Sequence, residues 1–296
     1  MKIAIMGLDA SGKTSFLSTL QKKYSVLWNL KPTKGVERDI FTFLDKNISL
    51  WDFGGQAKYR RKYLTESSRD LDDVQLIFYL IDITDPQRMD ESLEYLKDIL
   101  SRFESNLPHL VVSFHKYDPD LRGNPQIQEL IHQMKDRISN IIPNALYFNT
   151  SIFDEKSLWR SFSQGIRKLS SGDELLFSYL AEVASNTNAQ GISILDIGGM
   201  SICSYVLDED ADWVIESCAH SFLDVWKSIN IRGMNPGIID FDIAKGTTFF
   251  TLLTNLSFKL FVLGYFRNKN DQLSFLDQIP ELEAKMNAII DTFFIA

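Results

Sequence analysis

Residues 7–14 have the types and the spacing of a phosphate-binding loop: two glycines, separated by four residues, are followed by Lys13 and Thr14. Glycines allow the tight turn that points successive backbone N–H groups at phosphate oxygens. In such a loop the lysine reaches the β- and γ-phosphates, and the hydroxyl contacts Mg²⁺. The pattern predicts nucleotide binding, with contacts from the loop and the start of its helix: Asp9, Ala10, Ser11, Gly12, Lys13, Thr14 and Ser15.

Two later segments contain the residue types that complete a phosphate and metal site. Thr33, in a short polar loop, is predicted to give its hydroxyl to Mg²⁺ and its N–H to the γ-phosphate. Asp52 closes an apolar strand and is predicted to hold the same metal through water. Gly55 leaves room for its N–H to approach the γ-phosphate, and Gln56 is placed to orient an attacking water. We therefore predict the metal ligands Thr14, Thr33 and Asp52 and the catalytic residues Lys13, Gly55 and Gln56.

Residues 115–118 follow another apolar strand and are predicted to bind a guanine base. The carboxylate of Asp118 would accept hydrogen bonds from two adjacent donors of guanine, whereas adenine would leave it buried and unpaired. His115 belongs to the same base-binding loop, and the stem of Lys116 is predicted to pack over the base. The backbone N–H groups of Ser151 and Ile152, after the next strand, are predicted to meet the guanine carbonyl oxygen.

Alternating strands and helices must position these segments, and the first 170 residues show that alternation. The apolar patterns predict strands over 2–6, 39–44, 47–52, 74–83, 110–114 and 145–148, and helices over 14–20, 57–64, 89–103, 126–140 and 155–169. This order predicts an α/β domain with a mainly parallel sheet, helices on both faces and one antiparallel edge. Ligands bind at the carboxyl ends of the strands of such sheets, where the motifs fall.

The pattern changes near residue 170, so we predict a first domain over 1–170 and a second over 171–296. The second domain is predicted to be α+β, built on an antiparallel meander. Its predicted elements are helices 173–185, 211–229 and 272–293, the last broken by Pro280, and strands 192–197, 201–207, 238–245, 247–253 and 256–265. The apolar stretch 247–265 could be taken for a membrane span, but its alternation with period two favours strands.

The net charge of −8 and the two cysteines argue against several classes of protein. Nucleic-acid binders carry a basic excess, and two cysteines are too few for a disulfide framework, which fits a reducing compartment. We expect no secretory leader, and no myristoylation because Lys2 stands where the acceptor glycine is required. The expected location is the cytoplasm, without a direct membrane anchor; any recruitment to a membrane would come through a partner.

Taken together, the motifs resemble those of Ras-superfamily small GTPases. Segments 7–14 and 51–56 are similar to the Arf branch, whereas 115–118, with His115 where most relatives carry Asn, and 150–154 resemble the Rag/Gtr branch. The element order after residue 172 resembles the roadblock domain through which Rag/Gtr proteins dimerise. The resemblance implies GTP or GDP with Mg²⁺, and a homo- or heterodimer through a roadblock- or longin-like domain. In most relatives the Asn at the position of His115 ties the base loop to the phosphate loop by hydrogen bonds. A neutral His115 could make one such hydrogen bond.

The predicted function is a molecular switch that hydrolyses GTP to GDP and phosphate and signals through the loops of Thr33 and Gln56. Because residues 8–11 contain no arginine, turnover without an activating partner is expected to be on the order of 10⁻⁴ to 10⁻³ per second. Effectors, activators and exchange factors are expected at these loops, with the basic, aromatic segment 57–63 as effector surface. Two alternatives stay open: a nucleotide-loaded dimeric scaffold with little useful hydrolysis, and a phosphate-loop kinase or ATPase, against which Asp118 argues.

Overall fold

The computed structural model describes residues 1–23, 31–43, 46–65, 69–103, 106–169, 173–230, 237–254, 256 and 259–293. By its internal contacts the chain divides into two compact units, Met1–Leu169 and Ser170–Ala296. Residues 170–172, where the sequence pattern changes, lie outside the described residues, as do residue 44 of the predicted strand 39–44 and residues 257–258 of the predicted strand 256–265.

The first unit is a six-stranded sheet in the order β2-β3-β1-β4-β5-β6. Its strands are parallel to their neighbours except for β2, which pairs antiparallel with β3 at one edge. The elements are β1 Lys2–Met6, α1 Lys13–Leu20, β2 Val36–Phe43, β3 Lys46–Phe53, α2 Ala57–Tyr63, β4 Leu76–Asp82, α3 Met89–Leu100, β5 His109–His115, α4 Pro125–Ser139, β6 Leu146–Thr150 and α5 Glu155–Arg167. The predicted α/β architecture with one antiparallel edge is confirmed, although β2 begins three residues before the predicted strand.

Strand β4 shows how helices cover both faces of this sheet. Phe78 packs with Phe16 of α1 and Phe162 of α5 on one face. Its neighbour Tyr79 lies on the opposite face against Tyr95 of α3, because successive side chains of a strand alternate. A central parallel strand is therefore buried on both sides and has a continuous apolar sequence.

At the antiparallel edge, the ring of Trp51 lies between two cations. The ammonium nitrogen of Lys2, on β1, is 3.7 Å from the ring centroid, and the guanidinium carbon of Arg38, on β2, is 3.9 Å from it. These cation–π contacts join three strands through one indole.

The second unit is a five-stranded antiparallel sheet in the order β8-β7-β11-β10-β9. Phe250 packs on Phe222 of the helix Glu209–Asn230, whereas its neighbour Phe249 lies on the opposite side with Phe266 and Phe275. The elements are α6 Asp173–Thr187, β7 Ala189–Asp196, β8 Ser201–Val206, α7 Glu209–Asn230, β9 Ile238–Ile243, β10 Gly246–Leu253, β11 Leu260–Phe266, α8 Lys269–Leu276 and α9 Ile279–Phe293.

The predicted interruption of the last helix is present: α8 ends at Leu276, and Pro280 is the second residue of α9. Proline is tolerated there because the first turn of a helix needs no N–H from it. Within the described part of the chain, no helix combines the length and the apolar character needed to cross a membrane.

Candidate functional site

The phosphate loop connects β1 to α1, and both of its glycines have backbone conformations that other residues rarely adopt. Gly7 has φ +142°, and a Cβ there would lie 2.4 Å from the carbonyl oxygen of Leu80. Gly12 has φ +89° and caps the amino terminus of α1. The loop therefore turns tightly beside β4 and presents the amino end of a helix, where the partial charge is positive.

The side chain of Lys13 folds back over this loop. Its ammonium donates to the carbonyl oxygens of Leu8 at 2.6 Å and Gly7 at 3.2 Å, and to the hydroxyl of Ser11 at 3.4 Å. Burial lowers the pKa of Lys13 to about 8, opposed in part by the negative charges of Asp52 and Asp9. A buried cation thus lies where the predicted site needs positive charge.

The three predicted metal ligands meet in one cluster, although they come from three separate segments. The hydroxyl of Thr14 donates to Asp52 Oδ2 at 2.7 Å, and that of Thr33 donates to the same oxygen at 3.1 Å. The two hydroxyl oxygens are 3.0 Å apart. The other carboxylate oxygen, Asp52 Oδ1, is buried and has no hydrogen-bond partner among the described residues. Hydroxyl and carboxylate oxygens are the donor set that Mg²⁺ prefers, so these residues fit that metal.

The loops of Thr33 and Gln56 are tied to each other and to the phosphate loop. The carbonyl oxygen of Gly35 accepts the N–H of Gly54 at 2.8 Å and the hydroxyl of Tyr63 at 2.7 Å. Gly55 approaches the phosphate loop so closely that a Cβ there would lie 2.3 Å from the backbone nitrogen of Asp9. Gln56 is the residue directly before α2.

A cleft of about 400 Å³ opens between these loops. It brings together ten of the predicted site residues: Asp9, Ala10, Gly12, Lys13, Thr14, Ser15, Thr33, Gly55, Gln56 and Lys116. Lys31 and Pro32 also line it, and neither was predicted as a contact. Ser11 and Asp52 lie beside the cleft as partners of Lys13 and of the two threonines.

The predicted base loop is bonded to the loop after β6. The N–H of Tyr117 donates to the carbonyl oxygen of Thr150 at 3.0 Å, and the hydroxyl of Ser151 donates to Asp118 Oδ1 at 2.5 Å. The N–H of Ser151, predicted to meet guanine, donates instead to the hydroxyl of Ser157 at 3.1 Å. Ile152 follows as the next residue with a backbone N–H at this loop.

His115 is buried at the end of β5, and its Nδ1 is 2.9 Å from the hydroxyl oxygen of Thr150. Burial, together with the nearby charge of Lys116, lowers the pKa of His115 to about 4, so the ring is neutral at pH 7. His115 contacts the phosphate loop by packing and not by the hydrogen bond that its ring could have made. Its Cδ2 and Nε2 lie against Gly12.

Two residues of the site region were missed by the sequence reasoning. Asp82 ends β4 and forms an ion pair with Lys116, whose backbone has φ +62°. The rule that ligands meet the carboxyl ends of parallel strands could have identified Asp82. Arg88 reaches the carboxylate of Asp9 at 2.7 Å across 79 positions of sequence, and no local signal indicates that contact.

A mainly parallel sheet with a phosphate loop after its first strand, and two polar loops closing on that loop, defines a small GTPase domain. A family model described as "Gtr1/RagA G protein conserved region" matches residues 2–220, about three quarters of the chain. The chain belongs to the Gtr1/RagA G protein family. The Rag/Gtr resemblance of the first domain is thereby confirmed.

The chain is also similar to individual proteins. The GTP-binding protein GTR1 of Saccharomyces cerevisiae is 30% identical over 178 residues, which is 55% of this chain and 55% of that protein. The chain thus matches about half the length of that relative. The ADP-ribosylation factor-like protein 3 of the same yeast is 31% identical over 143 residues, covering 46% of this chain and 70% of that protein. Among solved structures, the Arl6 (BBS3) small GTPase of Trypanosoma brucei with the nucleotide analogue GppNp has 17% identity and a TM-score of 0.43, covering 57% of this chain and 96% of that one.

Proposed function

We propose that this protein binds GTP and GDP with Mg²⁺ and acts as a switch that hydrolyses GTP. The observation that carries the proposal is the convergence of Thr14, Thr33 and Asp52 from three segments: both hydroxyls donate to Asp52 Oδ2, and the buried Oδ1 of the same carboxylate has no hydrogen-bond partner among the described residues. Thr14 and Thr33 would hold the metal by their hydroxyls, and Asp52 would hold it through water. When bound, Mg²⁺ supplies positive charge to the β- and γ-phosphate oxygens.

The chain's own residues would then carry the reaction. Lys13 turns from the carbonyl oxygens of the loop to the phosphate oxygens, and the N–H of Gly55 donates to the γ-phosphate. Gln56 orients a water for in-line attack on the γ-phosphorus. The bond from phosphorus to the bridging oxygen breaks, the water proton passes to the inorganic phosphate that forms, and GDP is the leaving group. Since residues 8–11 contain no arginine, turnover without a partner is on the order of 10⁻⁴ to 10⁻³ per second.

Guanine selection is assigned to Asp118, whose carboxylate would accept the two adjacent donors of the base. The hydroxyl of Ser151 anchors this carboxylate, so its position is held before the base arrives. Lys116 lines the same cleft as the phosphate loop, which supports a position over the nucleoside. Because the N–H of Ser151 is engaged by Ser157, the contact with the guanine carbonyl oxygen falls to Ile152.

The experiment that tests this function is identification of the nucleotide released from denatured protein, combined with single-turnover GTP hydrolysis by the wild type and Gln56→Leu. We expect guanine nucleotide, and hydrolysis that falls at least about tenfold in the variant. Guanine nucleotide without hydrolysis in either protein would instead support a nucleotide-loaded scaffold. Adenine nucleotide, or none, would contradict the role of Asp118.

We further propose that the second unit is a roadblock-like dimerisation domain whose contact includes β9. This strand ends the sheet order, and Ile238 and Phe241 on it are about half exposed. An unpaired strand edge favours pairing with another chain. Sedimentation of the full chain should show a dimer that Ile238→Lys weakens, whereas Leu273→Lys, at an exposed position of α8, should not. An unchanged dimer in Ile238→Lys would contradict this contact.

A further inference from the structure

A closed ring of contacts joins the phosphate loop to α2, and half of it is formed by residues that the proposed reaction does not use. Arg88 stands in the short 3₁₀ turn before α3, and Glu91 is in the first turn of α3. The guanidinium of Arg88 donates to the carbonyl oxygen of Asp9 at 3.1 Å and to its carboxylate at 2.7 Å. Its Nε donates to the carboxylate of Glu91 at 3.0 Å.

The other half of the ring lies on the segment that contains Gln56. The second oxygen of Glu91 accepts a hydrogen bond from Arg60 of α2. The backbone N–H of Arg60 donates to the carbonyl oxygen of Gln56 at 3.0 Å. Gly55, directly before Gln56, accepts the N–H of Asp9 at 3.1 Å and so closes the ring.

Isolated ion pairs at a surface contribute little to stability. The ion pairs of this ring are partly shielded from water, and they share Arg88 and Glu91. The side chain of Arg60 is only 13% exposed, and its guanidinium lies 5.1 Å from the ring centroid of Tyr95. The hydrogen bond from Arg88 holds the pKa of Glu91 below its ordinary value. Burial acts to raise the pKa of Asp9, but the bonds from Arg88 outweigh it and the pKa is lowered. Both carboxylates are therefore ionised at neutral pH.

We propose that Arg88 and Glu91 are positioning residues that hold Gly55 and Gln56 on the phosphate loop, and that opening the ring at the pair between Arg60 and Glu91 releases this switch segment. The inference deepens the proposed function and rests on it where hydrolysis is concerned. Because Glu91 is shared by both arginines, its loss opens the ring while the pair between Arg88 and Asp9 can remain.

The first test is amide hydrogen exchange in the full chain, comparing Glu91→Gln with Glu94→Gln. Glu94 is the matched control, since it lies on the same helix and pairs with Lys97 at 2.8 Å outside the ring. We expect exchange over residues 55–63 to be at least about threefold faster in Glu91→Gln and unchanged in the control. Equal exchange in both variants and the wild type would overturn the ring.

The second test separates positioning from binding. In Glu91→Gln, single-turnover GTP hydrolysis should fall about threefold to tenfold, whereas the GDP dissociation rate should stay within about twofold. The losses of hydrolysis rate caused by Arg60→Gln and Glu91→Gln should not be additive in the double variant. Arg60→Lys should keep part of the rate that Arg60→Gln loses. Additive losses, or equal changes in GDP release and hydrolysis, would overturn the positioning role. A wild type that hydrolyses no GTP would contradict the proposed function alone, since hydrogen exchange tests the ring without any reaction.

Discussion

The imidazole of His115 lies directly on Gly12: a Cβ at position 12 would be 2.4 Å from Cδ2 and 2.7 Å from Nε2 of that ring. The predicted base loop and the phosphate loop are therefore in contact through a side chain on one and the lack of a side chain on the other. Gly12 is required twice, once for its positive φ and once for this contact.

The first prediction concerns Gly12→Ala. A positive φ costs an alanine about 1–2 kcal/mol, and the clash with His115 should add about 1–3 kcal/mol. Gly123→Ala is the matched control, because Gly123 has φ +85° but no atom within 4 Å of the added Cβ. Chemical denaturation should show a larger loss of stability for Gly12→Ala. Equal losses would show that the contact with His115 contributes nothing.

The second prediction is the pH dependence that His115 adds to the first unit. The pKa of His115 is about 4 in the folded state against 6.5 for the unfolded chain. Between these values the unfolded chain binds the extra proton, so stability falls as the pH decreases from 6.5 towards 4. Relative to His115→Asn, the wild type should lose at most about 1.4 kcal/mol per pH unit there. The free energy of unfolding of both proteins, measured from pH 7 to pH 4.5, tests this loss. A difference between the two proteins that does not change with pH would contradict a buried neutral ring.

The third prediction has the opposite sign and concerns Asp196, at the end of β7 in the second unit. Burial raises its pKa to about 6 from 3.8, although the N–H groups of Met200, Gly198 and Gly199 oppose the shift. The folded state keeps a proton that the unfolded chain loses, so this contribution to stability is present below pH 3.8 and is lost as the pH rises through 6. Relative to Asp196→Asn, the wild type should lose at most about 1.4 kcal/mol per pH unit across that window. Denaturation of both proteins at pH 4 and pH 7 tests this. A wild type that, relative to Asp196→Asn, has a lower free energy of unfolding at pH 4 than at pH 7 would contradict it.

The fourth prediction tests the metal assignment through removal of Mg²⁺. Chelation should speed release of GDP from the wild type, because the metal links the phosphates to Thr14 and Thr33. Asp52→Ala should release GDP about tenfold or more faster even with Mg²⁺ present, and chelator should change it little. Release measured with a fluorescent GDP provides both rates. A variant that responds to chelator as strongly as the wild type would exclude Asp52 as a holder of the metal.

How far the sequence could predict this site depends on how local each requirement is. The turn at Gly7 and Gly12 and the strand that contains Asp52 are set by neighbouring residues, so the phosphate loop and most of the cleft were predictable. The early start of β2 was not predictable, because its first residues include the polar Glu37 and Arg38 at a sheet edge and show no apolar alternation. Strand pairing with β3, a tertiary effect, extends that strand.

The sequence also could not predict which groups form contacts with residues that are distant in the chain. The N–H of Ser151 could not be assigned to Ser157 without the helix that carries Ser157, and the packing of His115 depends on a glycine 103 positions earlier in the chain. The guanidinium of Arg88 is similar, because only the fold brings it to Asp9. Motif spacing predicts which backbone segments meet; it does not predict which hydrogen bonds those segments have already made.

Trp51, between the cations of Lys2 and Arg38, has a practical consequence. Trp51 lies on β3 directly before Asp52, and this strand leads into Gly55. The emission energy of an indole depends on the charges above its ring, and here one charge comes from β1 and the other from β2. Sliding of the β2–β3 hairpin along β1 would change the distance from the indole to Lys2, whereas Arg38, which pairs with Trp51 on the same hairpin, would move with the ring. In a variant whose other four tryptophans are replaced, Trp51 would thus be an optical probe of the sheet edge next to the switch loops, readable by fluorescence without an attached dye.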